Sequence, residues 1–151
     1  MELPTVVETL DIKEIDELRE GAEMFFSAAG LRGAFNMEHF KQCWQTYYAL
    51  KIGRIFVIRD VTGKVIAGLG CVCVPDLYTG NLVATELFWF VFPDHRGIGL
   101  ELLDIYEKWA RDEGCSEIRM IHLPRLMPDR LKRLYQRRGY RELEVAYGKE
   151  A

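Results

Sequence analysis

The sequence lacks long apolar runs, internal repeats and low-complexity segments. No apolar run reaches the roughly 18 residues of a membrane-spanning helix, and the first four residues, MELP, lack the basic and then apolar profile of a signal peptide. These absences argue against a membrane-inserted or secreted protein and predict a soluble, cytoplasmic one. No Pro-, Gly- or Ser-rich linker interrupts the apolar periodicity, so we expect one domain over residues 1–151.

Net charge is small and cysteines are few. The formal charge of -3, from 20 basic and 23 acidic residues, does not fit a domain whose affinity comes from neutralising nucleic-acid phosphates. The four cysteines, at positions 43, 71, 73 and 115, have neither the spacing of a zinc site nor that of a small disulfide scaffold. We therefore expect reduced thiols, no bound metal and no nucleic-acid partner. Alternation places Cys71 and Cys73 on one strand face, where burial is expected and a redox or metal role is the alternative.

Apolar periodicity alternates along the chain between that of helices and that of strands. Asp11 and Glu14 have the spacing of a capping box, Asn36 can cap a second helix, and Gly114 can end a third. Pro93 lacks a backbone donor and ends the third long strand. The predicted strands cover residues 5–10, 55–59, 65–74, 82–92, 116–123 and 141–148, and helices are predicted after the two caps and over 97–113 and 128–138. This order predicts a mixed sheet with helices on its faces.

The most informative segment is residues 87–103, LFWFVFPDHRGIGLELL, in which a strand passes through a tight turn into a helix. Backbone N–H groups at a helix N-terminus are unpaired and lie at the positive end of the helix dipole, so they can hold a diphosphate. Gly97 and Gly99 allow close approach of the backbone, and Arg96 can add a charge-assisted contact. A glycine turn before a helix is also common packing, so the residues alone leave both readings open. The incomplete dinucleotide fingerprint and the lack of a Walker lysine motif argue against a nucleotide-binding fold.

This segment resembles motif A of the GNAT superfamily of N-acetyltransferases, and residues 134–140, LYQRRGY, are similar to that family's closing motif of Leu-Tyr, three residues, Gly and an aromatic residue. The order of elements also agrees, so the resemblance covers nearly the whole chain. It implies an α+β (mixed α/β) fold with a central mixed, mostly antiparallel sheet flanked by helices. It further implies an acyl-CoA-dependent enzyme that moves the acetyl group of acetyl-CoA to a primary amine by direct attack. The chain is similar to the small members found in bacteria and their phages.

In this family the turn grips the pyrophosphate of acetyl-CoA, so the resemblance assigns cofactor contacts to the strand end and the turn. These residues are Phe90, Val91, Phe92, Asp94, His95, Arg96, Gly97, Ile98, Gly99 and Leu100. The backbone N–H of Val91 is the candidate donor to the oxyanion. Three positions depart from the family pattern, because Asp94 replaces Gln or Arg, His95 replaces Gly, and Pro128 stands near the usual asparagine. A carboxylate at position 94 would repel a diphosphate unless it points away.

Attack of an amine on a thioester needs a base for the amine, a donor to the oxyanion and an acid for the departing thiolate. The resemblance places the acid at Tyr135 and the general base at Glu86. Alternation puts Glu86, Phe88 and Phe90 on one strand face, where aromatic neighbours would raise the pKa of the carboxyl. The alternatives are a core aromatic at position 135 and a solvated or ion-paired carboxylate at position 86, and His122 is a rival base.

The acceptor side is less defined. In the family the first two helices and a loop, here residues 30–33, cover the acceptor, which can be a lysine side chain, a protein N-terminus or a small molecule. The basic run 125–138 is either a solvated face or a contact for the 3'-phosphate or an acidic protein. The short segment after Gly139 leaves open a homodimer in which a second subunit completes the last strand. The departures at the turn and at Pro128 motivate an alternative function, a catalytically inactive module that binds acyl-CoA or a partner protein.

Overall fold

The structure is a computed structural model that describes residues 6–125 and 127–151. Its strands are β1 (Val7–Thr9), β2 (Gly53–Arg59), β3 (Val65–Pro75), β4 (Leu82–Val91) and β5 (Glu117–Arg119), and its α-helices are α1 (Arg19–Ala28), α2 (Met37–Ala49), α3 (Gly99–Asp112) and α4 (Pro128–Arg137). Two 3-10 helices, Ile12–Leu18 and Pro93–His95, precede α1 and α3. No helix within the described ranges combines the length and apolar character of a membrane span.

The five strands form one sheet in the order β1-β2-β3-β4-β5. The first four strands pair antiparallel, and β5 pairs parallel to β4. Short turns join β2 to β3 and β3 to β4, whereas β5 follows helix α3, because a parallel neighbour needs a crossover connection. The prediction of a mixed, mostly antiparallel sheet flanked by helices is confirmed.

Each face of the sheet has its own apolar cluster. The first 3-10 helix, α1 and α2 cover one face, where Trp44 and Phe90 are buried. Helix α3 covers the other face through residues such as Leu103 and Tyr106. Strand β4 contributes to both clusters, because the side chain of Val91 packs against the second. The end of β4 is therefore held from both sides of the sheet.

Three helix boundaries follow from the capping residues that the sequence predicts. Oδ1 of Asp11 accepts from the N–H two residues later at 3.0 Å, and Oδ1 of Asn36 accepts from the N–H three residues later at 3.0 Å. Gly114 follows α3 with a φ of +84°. The Glu14 carboxylate accepts from Nη2 of Arg59 at 3.1 Å, in place of the reciprocal bond of a capping box. The helix that follows Asp11 is a 3-10 helix rather than an α-helix, and α1 begins at Arg19.

Two strand predictions are wrong. The strand predicted over residues 116–123 is much shorter in the structure, and the strand predicted over residues 141–148 does not form. Strand β5 covers only Glu117–Arg119, because β4 pairs with it only over Val83–Thr85. Residues 141–148 form no strand. Their alternation would need a neighbouring sheet edge of similar length to bury one face, and the three-residue β5 does not offer one. The apolar side chains of this segment stay exposed: Leu143, Val145 and Tyr147.

Candidate active site

Strands β4 and β5 separate after three paired residues, whereas β4 continues to Val91. The N–H of Phe92 donates to the carbonyl oxygen of Ile66 in β3 at 2.9 Å, and alternate N–H groups of a strand point to opposite edges. The N–H of Val91 therefore points to the edge that β5 leaves unpaired. We call the space beside this edge, along residues 86–91, the β4–β5 gap.

The turn between β4 and α3 needs two glycines for different reasons. Gly97 has a φ of +104°, a conformation that residues with a Cβ rarely adopt. Gly99 starts α3 against β4, and a Cβ there would lie 2.9 Å from Cγ2 of Val91. The N-cap residue, Ile98, makes no side-chain hydrogen bond to the helix. The first N–H groups of α3 therefore have no capping side chain, which is the arrangement that an anion site at a helix N-terminus requires.

The charged residues of the turn lie on different sides of it. Asp94 and His95 line a surface groove whose other walls come from α1, β3 and the turn between β2 and β3. Arg96 extends the other way, and its Nη1 lies 3.4 Å from Sδ of Met127, the residue before α4. The carboxylate that departs from the family pattern thus lies on the β3 side of the turn, whereas the guanidinium lies on the α4 side.

The remaining predicted cofactor residues are apolar. The side chain of Phe90 is buried under α1, where a Cβ at Gly21 would lie 2.2 Å from its ring. Phe92 and Ile98 are half-buried, and Leu100 is exposed. The side chain of Phe90 therefore does not reach the β4–β5 gap.

The prediction that Glu86, Phe88 and Phe90 share one face is wrong, because β4 has a bulge after Glu86. Cys71 of β3 lies opposite Glu86, and the preceding residue of β3, Gly70, lies opposite Phe88, so one residue of β4 is extra. Neighbouring residues along β3 point to opposite faces. Glu86 therefore points to the face that α3 covers, and Phe88 points to the face of α1 and α2.

Glu86 is 3% exposed, which contradicts the alternative of a solvated strand end. Burial raises the pKa of its carboxyl to about 8. The direction of this shift agrees with the prediction, although the surroundings belong to the opposite face of the sheet. A carboxyl with this pKa can gain and lose a proton near neutral pH.

Tyr135 is buried, and its hydroxyl has no hydrogen-bond partner among the residues that the structure describes. Burial, and after it the charge of Glu86, raises the pKa of the phenol well above its usual 10. Glu86, the candidate base, therefore lies close enough to Tyr135, the candidate acid, for its charge to affect the pKa of the phenol. Because buried hydroxyls are nearly always hydrogen-bonded, the orphaned oxygen of Tyr135 marks a place for a ligand or water.

The closing motif, LYQRRGY, is a helix C-terminus of the Schellman type. The N–H of Tyr140 donates to the carbonyl of Tyr135 at 2.9 Å, and the N–H of Gly139 donates to that of Gln136 at 3.2 Å, which are the two bonds of this motif. Gly139 supplies the left-handed φ of +88°. The rings of Tyr135 and Tyr140 are 5.6 Å apart. The spacing of the motif therefore fixes the last turn of α4 and places an aromatic ring beside Tyr135.

The segment between β5 and α4 contacts both Tyr135 and the predicted acceptor loop. His122, the rival base, is exposed, and its ring packs edge-on against Tyr135 with 6.4 Å between centroids. The side chain of Arg125 lies against Gly30, where a Cβ would be 2.5 Å from its Cδ. Pro128 begins α4. The segment after β5 thus contacts the acid candidate through His122 and the loop after α1 through Arg125.

A family model described as the acetyltransferase (GNAT) family matches residues 15–140. The chain belongs to this family. Its members are acetyl-CoA-dependent N-acetyltransferases, so the prediction of an enzyme of this class is confirmed. None of the curated proteins compared with the chain matches it.

Solved structures show the same fold at low identity. A predicted acetyltransferase from Clostridium acetobutylicum, solved with acetyl-CoA, is 14% identical with a TM-score of 0.79, covering 97% of this chain and 96% of that one. A ribosomal-protein-alanine N-acetyltransferase from Brucella melitensis biovar Abortus 2308 is 15% identical (TM-score 0.71; 97% and 99% covered). A glucosamine-6-phosphate N-acetyltransferase from Arabidopsis thaliana is 16% identical (TM-score 0.72; 98% and 99% covered).

Sequence reasoning missed a buried carboxylate that holds the end of α4. Glu107 of α3 is 8% exposed and accepts hydrogen bonds from Arg138 and Tyr140, which follow α4. The signal was present, because Glu107 shares a helical stripe with the buried Leu103 and Ala110. An acidic residue in an apolar stripe indicates a buried polar partner.

Proposed function

We propose that the chain binds acetyl-CoA with its pantetheine arm in the β4–β5 gap and its diphosphate at the turn before α3, and transfers the acetyl group to a primary amine by direct attack. Three features carry this proposal. They are the edge of β4 that β5 leaves unpaired, the N-terminus of α3 without a capping side chain, and the buried hydroxyl of Tyr135, which forms no hydrogen bond with the residues that the structure describes. The unit would be one domain over residues 1–151.

The turn fits a diphosphate by charge and by shape. The first N–H groups of α3 supply donors at the positive end of the helix dipole. Gly97 has open space where a side chain would project, so phosphate oxygens can approach the backbone there. Arg96 lies on the α4 side, where it can add a charge-assisted bond, whereas Asp94 lies on the β3 side. This separation supports the proposal, because a carboxylate that points away from a diphosphate repels it less.

Three groups would serve the chemistry. Glu86 takes the proton that the amine must lose, directly or through water, as nitrogen bonds to the thioester carbon. The N–H of Val91 donates to the oxyanion that forms. Tyr135 gives its proton to the thiolate as the carbon–sulfur bond breaks, and its raised pKa keeps the phenol protonated beforehand. His122 remains the rival base.

The structural relatives leave the acceptor class open. By their names, one acts on an alanine of a ribosomal protein and another on an amino sugar phosphate. A lysine side chain, a protein N-terminus and a small-molecule amine therefore all remain candidates for this chain. A homodimer and a cytoplasmic location also stay predictions, and light scattering on the purified chain tests the first.

A calorimetric titration with acetyl-CoA tests the binding half of the proposal, with ATP and NAD as controls. We expect acetyl-CoA to bind and both controls to fail. A screen of amines with a thiol-release assay then tests transfer. Binding without turnover on any amine would favour the alternative of an inactive acyl-CoA-binding module. No binding by the folded chain would contradict the proposed enzyme and favour a module that binds a partner protein.

A further inference from the structure

A buried carboxylate of α3 ties the end of α4 in place. Oε2 of Glu107 accepts from the hydroxyl of Tyr140 at 2.7 Å, and Oε1 accepts from Nη2 of Arg138 at 2.5 Å. Arg138 also donates to the exposed Asp104 at 2.6 Å. A carboxylate buried this far is costly unless it is paired and hydrogen-bonded. Both oxygens of Glu107 are used, so the tie is directional and specific.

Besides this tie, two leucines hold helix α4: Leu131 and Leu134 are half-buried, and Leu134 packs against the apolar cluster that α3 covers. Of the α4 side chains that the structure describes, only Tyr135 is buried. The charged residues that surround it in sequence are exposed: Asp129, Arg130, Lys132, Arg133 and Arg137. The bonds of Arg138 and Tyr140 to Glu107 therefore add a polar anchor at the C-terminal end of α4 to the apolar contacts of the helix.

Tyr140 connects this tie to Tyr135 in two ways. Its N–H donates to the carbonyl of Tyr135 at 2.9 Å, and its ring lies 5.6 Å from that of Tyr135. The hydroxyl of Tyr135 has no described partner that could fix its direction. The ring of Tyr140, whose hydroxyl is bonded to Glu107, therefore restricts the positions that the phenol of Tyr135 can adopt.

We propose that Glu107 is a positioning residue for proton transfer, acting through Tyr140 to hold the hydroxyl of Tyr135 at the thiolate. This inference rests on the proposed role of Tyr135 as the acid. Glu107 itself touches neither substrate nor cofactor. Glu107 acts on the geometry of proton transfer, because a small displacement of a catalytic group lowers the rate strongly.

Tyr140→Phe is the sharpest test, because it removes the bond to Glu107 and keeps the ring beside Tyr135. We expect kcat to fall by about 10-fold while KM for acetyl-CoA stays within about 2-fold. Glu107→Gln should lower kcat at least as much. Asp104→Asn is the matched control, because it removes the other partner of Arg138 without touching Tyr140, and it should leave kcat unchanged. Thermal unfolding confirms that each variant is folded.

A double-mutant cycle with Tyr135→Phe separates the possible failures. If the tie acts through Tyr135, Tyr140→Phe lowers kcat in the wild-type background and has no effect in the Tyr135→Phe background. An equal loss in both backgrounds, or full activity of a folded Tyr140→Phe variant, overturns the inference. Full activity of the single variant Tyr135→Phe overturns both the proposed acid and the positioning role of Glu107. This outcome is distinguishable, because it is seen in a variant that leaves Glu107 and Tyr140 unchanged.

Discussion

Two glycine turns of the chain, one before α3 and one after α4, differ in how many backbone hydrogen bonds they make. The turn before α3, with Gly97 and Gly99, leaves the first N–H groups of a helix without a capping side chain. The turn after α4, with Gly139, closes the last turn of a helix with two backbone bonds. An open turn can bind an anion, whereas a closed turn can only hold its neighbours in place. A glycine in a motif therefore identifies a binding turn only when the hydrogen bonds around it are known.

The largest expected effect is on the open turn. Gly97→Glu places a carboxylate beside the proposed diphosphate site and strains a backbone with a φ of +104°. We expect acetyl-CoA affinity to fall by at least about 100-fold, or about 3 kcal/mol, in calorimetric titration. Gly63→Glu is the matched control, since Gly63 has a similar φ of +91° and also has open space around it. Equal losses in the two variants would mean that strain, and not the site, is responsible.

The next effect is on the residue that the closed turn holds. Tyr135→Phe removes the proton donor and keeps the ring, so kcat should fall by about 100-fold or more with little change in the dissociation constant for acetyl-CoA. Stopped assays of thiol release with a good acceptor amine measure the first, and calorimetry measures the second. Tyr78→Phe, at an exposed turn position, is the control. A parallel loss of affinity would place Tyr135 in binding rather than in chemistry.

The buried carboxyl of Glu86 should make the stability of the fold depend on pH. Its pKa is about 8 in the folded chain and 4.5 ordinarily, so between these values the folded state binds the proton more tightly. The free energy of unfolding should therefore fall as pH rises from about 5 to 8, by at most about 1.4 kcal/mol per pH unit from this residue. Urea unfolding of Glu86→Gln at several pH values should lack this contribution.

The exposed Glu38 supplies the control for Glu86, because Glu38→Gln removes one charge from the surface of α2. Identical pH slopes for wild type and Glu86→Gln would show that the buried carboxyl does not titrate in this range. If Glu86 is also the base, kcat/KM of the wild type should rise with pH through about 8, and Glu86→Gln should lose that rise.

The smallest effect is on the closed turn itself. Gly139→Ala forces an alanine into a φ of +88° and should lower the free energy of unfolding by about 1 to 2 kcal/mol. Gly148→Ala is the control, because Gly148 has no left-handed φ and no neighbour near its Cβ position. Thermal or urea unfolding measures both. A neutral Gly139→Ala would mean that the turn can open at little cost.

Local signals predicted much of this fold. Asp11 and Asn36 cap helices because their side chains bond to backbone two or three residues away, and such short-range bonds are visible in sequence. The family motifs likewise led to the turn and to Tyr135. Their standing as a cofactor site and an acid remains a prediction that the experiments above address.

Long-range register could not be predicted in the same way. The bulge after Glu86 depends on which residues of β3 lie opposite, and nothing within β4 itself indicates an extra residue. The alternation of residues 141–148 suggests a strand, but a strand also needs an edge with which to pair. Both errors concern a partner strand, which local periodicity does not identify.

Hydrogen exchange of the amides of β4 should report whether a ligand fills the β4–β5 gap. The pairing of Phe92 with Ile66 and the alternation of the ladder direct the amides of Phe88 and Phe90 toward β3, and those of Trp89 and Val91 toward the gap. Amides without a strand partner exchange hydrogen with solvent faster than their paired neighbours. Neighbouring amides of one strand should therefore exchange at different rates, and a ligand that fills the gap should slow only the second pair.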